Sequence, residues 1–293
     1  MRSYLFVPAD SERKLAKALS AGADVLILDL EDSVAPARRP QARTMAAEFI
    51  KANADAPGRP RLYVRINPLD SADAEADLAG VMPAGPDGIM QPKPDSGEDV
   101  HRLSIALGHH EERAGLERGA TRILPIVTET ALSVLRLPTY IGASSRVVGM
   151  TWGAEDLSAV VGSLSSRGAD GALTSPYRLV RDLCLMTCVA AGVQPIDSVF
   201  VDFRNDAGLR QEAREAARDG FTGKIAIHPD QVAAINETFT PSADEIAHAQ
   251  AVIGAFAGNP EAGVASLNGR MLDRPHLKLA EKVMARAKAA GVA

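Results

Sequence analysis

The chain is poor in cysteine and aromatic residues: among 293 positions there are 2 Cys and 1 Trp, and Phe, Trp and Tyr together make up 4%. Cys184 and Cys188 stand four apart in an apolar helical stretch, with no further Cys or His at zinc spacing, so they read as buried thiols rather than a metal pair. No HExxH occurs, and His109-His110 is followed by acidic residues, which disfavours zinc. Nor is there a Walker sequence, or a GxGxxG after a strand, to support nucleotide hydrolysis or dinucleotide-linked redox chemistry. Basic residues are not in excess: 32 Lys and Arg against 37 Asp and Glu give a net charge of -5, which argues against a long surface for nucleic acid. No apolar run reaches the roughly 18 residues of a membrane span, and the opening MRSYLFVPADSERK returns to charge too soon for a secretory leader. These absences predict a soluble, cytoplasmic protein without nucleic-acid or membrane partners.

What is present is alternation. Eight short apolar runs read as strands: Tyr4–Val7, Val25–Leu30, Leu62–Ile66, Gly88–Gln91, Ile123–Val127, Val147–Thr151, Ser198–Val201 and Lys224–Ile227. Between them lie helical segments, among them Glu12–Ala21, Pro40–Asn53, Val100–Gly115, Ala131–Ile141, Pro176–Ala191 and Leu209–Asp219, several closed by glycine. Alternating strands and helices demand parallel pairing through right-handed crossovers, and eight strands close a barrel. The reading is therefore an α/β fold, a (β/α)8 TIM barrel over residues 1–230, with a C-terminal helical extension over 231–293. In the extension, Pro229–Thr238, Pro241–Ala257 and Arg274–Ala290 look helical, while Gly258–Gly269 is rich in Gly and Asn without helical periodicity.

In a parallel barrel all strands end on one face, so polar residues at those ends converge on one site. The ends present Asp29, Glu31, Asp32, Arg65, Asn67, Lys93, Glu129, Asp156, Asp202 and His228. A carboxylate facing a barrel interior must be paired, protonated or bound to metal. Asp29, Glu31 and Asp32 are as readily explained by ion pairs as by function. Glu129 and Asp156 suit a hard divalent cation such as Mg²⁺, which takes one or two carboxylates and fills its octahedron with water and substrate oxygens. Arg65 offers a forked donor for a carboxylate or thioester oxygen, or a salt bridge to Glu31 or Asp32. Arg13 and Lys17 share a face of the first helix, where exposed charge and a phosphate-bearing ligand are both possible readings.

Seven ordered motifs, LFVPADSERKLAKAL, LDLEDSVAP, YVRINP, PIVTETA, GAEDLSA, GFTGKIAIHPDQV and MLDRPHLKLA, resemble those of the citrate lyase beta subunit and its relatives, the citramalyl-CoA and malyl-CoA lyases. The resemblance spans nearly the whole chain. It implies a Mg²⁺-dependent TIM barrel, commonly trimeric, that cleaves a carbon–carbon bond in a β-hydroxyacyl-CoA. By motif, Glu129 and Asp156 would hold the metal and Arg65 the acyl or keto-acid oxygens. Asp273 of MLDRP would enter a neighbouring subunit's site as acid/base, and it also suits an N-cap for the final helix. Phe6, Arg13, Lys17 and Lys224 would contact coenzyme A. The chain departs from relatives that carry Tyr-Val-Pro-Gly and then lysines: it has Phe6-Val7-Pro8-Ala9 and Arg13. The expected function is a lyase of citramalyl-, malyl- or citryl-CoA, giving acetyl-CoA and a keto acid by a retro-Claisen or retro-aldol route. The alternatives are a malyl-CoA thioesterase and the beta subunit of a multi-enzyme citrate lyase acting on a carrier-protein thioester.

Overall fold

A computed structural model describes residues 1–258 and 263–293. The first half runs β1 (Ser3–Pro8), α1 (Glu12–Leu19), β2 (Val25–Asp29), α2 (Arg39–Asn53), β3 (Arg61–Arg65), α3 (Ala74–Val81), β4 (Gly88–Gln91), α4 (Gly97–Ala114), β5 (Arg122–Pro125) and α5 (Ala131–Leu135). The second continues with β6 (Gly149–Thr151), α6 (Glu155–Val161), α7 (Ser175–Ala191), β7 (Gln194–Asp197), α8 (Asp206–Asp219), β8 (Gly223–Ala226) and α9 (Val232–Phe239). The extension follows as α10 (Ala243–Ala257), β9 (Val264–Leu267), β10 (Arg270–Asp273) and α11 (Arg274–Ala289).

The eight barrel strands are parallel in the order β5-β4-β3-β2-β1-β8-β7-β6. Bridges from Ile123 to Val147 and from Ile126 to Thr151 join β5 to β6 and nearly close the ring. Strand alternation divides the core in two. Tyr4, Val25, Ile27, Tyr63, Leu124 and Ile225 fill the barrel, while Leu26, Leu28, Val64 and Ala226 meet the helix layer. Burying each large apolar side chain contributes roughly 1.5–3 kcal/mol. This parity also dictates what reaches the mouth: Phe6, Asp29 and Arg65 continue the inward series, whereas Lys224, one residue before Ile225, faces outward.

Two expectations are corrected and a third segment is given its structure. Strand seven is Gln194–Asp197, not Ser198–Val201: Pro195, which cannot donate a ladder hydrogen bond, sits inside it and accepts from Thr222 N–H at 3.0 Å. Asp197, not Asp202, therefore ends that strand. The expected helix Ala131–Ile141 stops at Leu135 and resumes as the 3-10 turn Leu137–Tyr140, where Pro138 interrupts the α-helical ladder. Within Gly258–Gly269, residues 259–262 lie outside the described residues, and the rest begins an antiparallel hairpin, β9 with β10. Its turn is Asn268-Gly269, with φ of 51° and 76°, the left-handed pair that a two-residue hairpin loop needs.

α9 packs on α8, β1 and β8 and covers the barrel as the helix after the last strand. Beyond it, α10, the hairpin and α11 form a unit with its own small core of Ala249, Val252, Phe256, Leu272 and Ala280.

Candidate active site

At the carboxyl ends of the strands lies a cavity of about 380 Å³, walled by Phe6, Asp29, Arg65, Glu129, Trp152 and Asp156, among others. Arg65, 9% exposed, is held as a fork: Nε and Nη2 donate to the two oxygens of Asp29, each at 2.7 Å. Asp29 also accepts from the backbone N–H of Glu31 and Ser33, at 3.0 and 3.1 Å. Burial pushes its carboxyl up, but Arg65 and these donors hold it below the usual carboxylate range. The third nitrogen of the guanidinium, Nη1, pairs with Glu31 at 3.2 Å and Asp32 at 3.5 Å, and the guanidinium carbon stands 4.4 Å from the centre of the Phe6 ring. Burial opposes the Arg65 charge, yet the three carboxylates raise its pKa. The guanidinium is thus a fixed cation with one edge turned to the mouth.

Glu129 is buried, and burial drives its pKa well above the ordinary range. Its Oε2 accepts from the backbone N–H of Lys93 at 2.5 Å, and the charge of Asp156 raises the pKa further. Among the described residues Lys93 is one of two non-glycine residues with positive φ, at 51°, a conformation that costs energy and clusters at functional sites. Its ammonium donates to Glu31 Oε1 at 2.5 Å and lies 3.3 Å from Asp156 Oδ1. Gly153 permits this crowding, since a Cβ there would stand 3.0 Å from Glu129 Cγ. A buried carboxylate beside a second one, both on the cavity wall, is the donor set that a hard divalent cation requires. Among the described residues no group of three or more His, Cys, Asp and Glu gathers as a closed metal cage, so such a cation would keep positions open for water and substrate.

The structure brings Phe6, Arg65, Glu129 and Asp156 together. It does not bring the others. Arg13 and Lys17 are exposed on α1, with Arg13 in the turn that leaves the mouth. Lys224 is fully buried on the outer side of β8, donating to Asp197 at 2.6 Å and Glu212 at 2.8 Å. His228 stacks on Phe203, with ring centres 4.6 Å apart. Asp273 is the N-cap residue of α11, its carboxylate against His276 Nδ1, and it does not line the cavity of its own protomer. Lys93, expected at the end of the fourth strand, gains a specific part as the backbone donor to Glu129, and Thr151 is an addition. Thr151 Oγ1 is buried with no partner among the described residues, and only its position at a strand end could have marked it.

An eight-stranded parallel barrel with paired carboxylates and a buried guanidinium at its mouth defines an α/β-barrel enzyme of the TIM type. Residues 2–229 match the HpcH/HpaI aldolase/citrate lyase family, and the chain belongs to it. It is 38% identical to the citrate lyase subunit beta-like protein of Mycobacterium tuberculosis (strain ATCC 25618 / H37Rv) over 285 residues, covering 97% of this chain and 94% of that one. It is 34% identical to the mitochondrial citramalyl-CoA lyase of Rattus norvegicus over 295 residues, covering 97% and 85%. The crystal structure of CitE from Mycobacterium tuberculosis in complex with magnesium, acetoacetate and coenzyme A superposes with a TM-score of 0.78 at 36% identity, covering 98% of both chains. No helix of the described residues is long and apolar enough to cross a membrane.

Proposed function

We propose that the protein is a Mg²⁺-dependent carbon–carbon lyase that cleaves a β-hydroxyacyl-CoA of the citramalyl-, malyl- or citryl-CoA type to acetyl-CoA and a keto acid. The observation that carries the reading is the pairing of Glu129 and Asp156 on one wall of the mouth cavity with Arg65 fixed on another. Full-length similarity to a citramalyl-CoA lyase, and to a structure holding magnesium, acetoacetate and coenzyme A, supports it.

Glu129 and Asp156 would hold the metal, which when bound supplies Lewis acidity that lowers the pKa of a substrate hydroxyl and polarises neighbouring oxygens. The chain supplies the rest. As the hydroxyl gives its proton to a water at the open mouth the carbon–carbon bond breaks to the keto acid, and the electron pair passes into the thioester as an enolate. The Arg65 guanidinium at the cavity wall stabilises that developing negative charge, and Asp29 prevents it from turning away. An acid must then protonate the enolate carbon. Asp273 has the chemistry for it but stands apart from its own cavity, so we infer that a neighbouring protomer's Asp273 delivers the proton in a homotrimer or higher oligomer. Coenzyme A would pass Phe6 at the mouth and leave across α1, where Arg13 and Lys17 suit its phosphates.

Replacing Asp156 with Asn tests the metal assignment. The variant should bind Mg²⁺ more weakly by calorimetry and lose Mg²⁺-dependent turnover; wild-type activity and affinity would refute it.

A further inference from the structure

Lys93 leaves β4 between Pro92 and Pro94 and meets both members of the proposed metal pair by different means. Its backbone N–H donates to Glu129, as described above, while its side chain reaches across the mouth. There the ammonium donates to Glu31 Oε1 at 2.5 Å and lies 3.4 Å from Asp32 Oδ2 and 3.3 Å from Asp156 Oδ1. Burial opposes its charge, but Glu31, Glu129 and Asp156 hold its pKa above the ordinary value. It is a full cation at neutral pH, and the chemistry above does not use it.

The arrangement sets two cations against one carboxylate. Asp156, in the first turn of α6, is the half-buried member of the pair, and Glu129 is the buried one. Mg²⁺ binds carboxylate oxygens at about 2.0–2.1 Å and demands near-ideal octahedral geometry. An ammonium 3.3 Å from the same carboxylate repels such an ion strongly at the low effective dielectric of a cavity wall. The ammonium has another place to go. Glu31 and Asp32, at the exit of β2, already accept it on its other side, and neither belongs to the metal pair. A lysine side chain is a point charge on a flexible four-carbon stem, so it can shift towards them without moving the backbone N–H that holds Glu129.

We propose that Lys93 is a positioning residue whose ammonium competes with the divalent cation for Asp156: it holds that carboxylate in place and yields it to the metal by shifting onto Glu31 and Asp32, which keeps Mg²⁺ exchangeable. The proposal rests on the assignment of Glu129 and Asp156 to the metal and is independent of which thioester is cleaved. If Lys93 were only a strut that aims Asp156 at the metal, removing its charge would weaken Mg²⁺ binding. Competition predicts the opposite sign.

Titration of the intact protein with Mg²⁺ alone, followed by calorimetry, reads that sign without any substrate. Lys93→Met keeps the backbone N–H and much of the stem but removes the charge, and it should bind Mg²⁺ about tenfold more tightly than the wild type. A second measurement needs no variant: peptide mass spectrometry of the wild type after brief reductive methylation, with and without Mg²⁺. Mg²⁺ should increase labelling of Lys93, because the ammonium moves towards Asp32, whose side chain is 53% exposed. Unchanged or weaker Mg²⁺ binding by folded Lys93→Met would overturn the proposal while leaving the metal assignment intact. Labelling that Mg²⁺ does not increase would also overturn it, since a charge acting only through space does not leave Asp156. Mg²⁺ binding by neither protein would remove the metal assignment, and the competition with it.

Discussion

Arg65 is the residue on which stability and chemistry converge. Two bonds of 2.7 Å tie it to Asp29, whose side chain is 1% exposed. Replacing it with Met would leave that carboxylate buried and unpaired, at a cost of about 3–5 kcal/mol, measurable as a lower urea midpoint. Arg65→Lys would restore charge without the fork and should fold better while losing most of kcat/KM. Equal activity in Arg65→Lys and the wild type would show that the planar fork is dispensable. Glu129 and Arg65 were legible in the sequence because each lies at the end of an apolar run, a position that in a parallel barrel sends a side chain to the mouth, and Asp156 because it stands in the first turn of the helix that follows β6. Lys224 follows the same logic by motif and fails it by parity, since an inward Ile225 forces its neighbour outward. Lys93 carried no signal for its role: Pro92 and Pro94 flank it, and nothing in the residue type announces a left-handed backbone that offers its N–H to Glu129.

Elements show where pattern reading gives way to tertiary context. The apolar run Ser198–Val201 looks more like a strand than Gln194–Asp197, yet pairing with β6 and β8 selects the latter despite Pro195. The hairpin of the extension was hidden because its strands are only four residues each and half exposed, although Asn268-Gly269 is a hairpin signal in its own right. Gly269→Ala should destabilise that hairpin by about 1 kcal/mol, seen as faster amide exchange across β9 and β10 with the barrel unaffected; unchanged exchange would show that the turn does not depend on glycine. Between α4 and β6, Glu111 is buried and takes both ends of Arg146 at 2.6 and 2.7 Å. Burial pushes its pKa up, but Arg146 and the N–H groups of Gly119 and Thr121 bring it from an ordinary 4.5 down to about 2. Its folded pKa is depressed, so the stability it contributes is fully present above 4.5 and is lost as pH falls towards 2. Glu111→Gln should flatten the stability curve in that window, and an unaltered slope in urea titrations at several pH values would show that the pair is not responsible.

At the scale of the whole molecule, the proposed chemistry divides between the barrel and the extension. The proposed metal ligands and the guanidinium come from residues 65–156 and the cavity lining reaches from Phe6 to Ile227, while the acid/base candidate sits on a separate small core beyond residue 242. That separation is why the mouth was readable from strand ends and Asp273 was reachable only through its motif: no periodicity or spacing within a chain reports where a neighbouring copy lies. The most direct test of the account is mass-spectrometric product analysis of the purified protein with malyl-, citramalyl- and citryl-CoA, in Mg²⁺ and in EDTA. The prediction is acetyl-CoA together with a keto acid from at least one of them, in Mg²⁺ only. Free CoA with an intact hydroxy acid would make the protein a thioesterase and contradict the lyase, as would cleavage undiminished by EDTA.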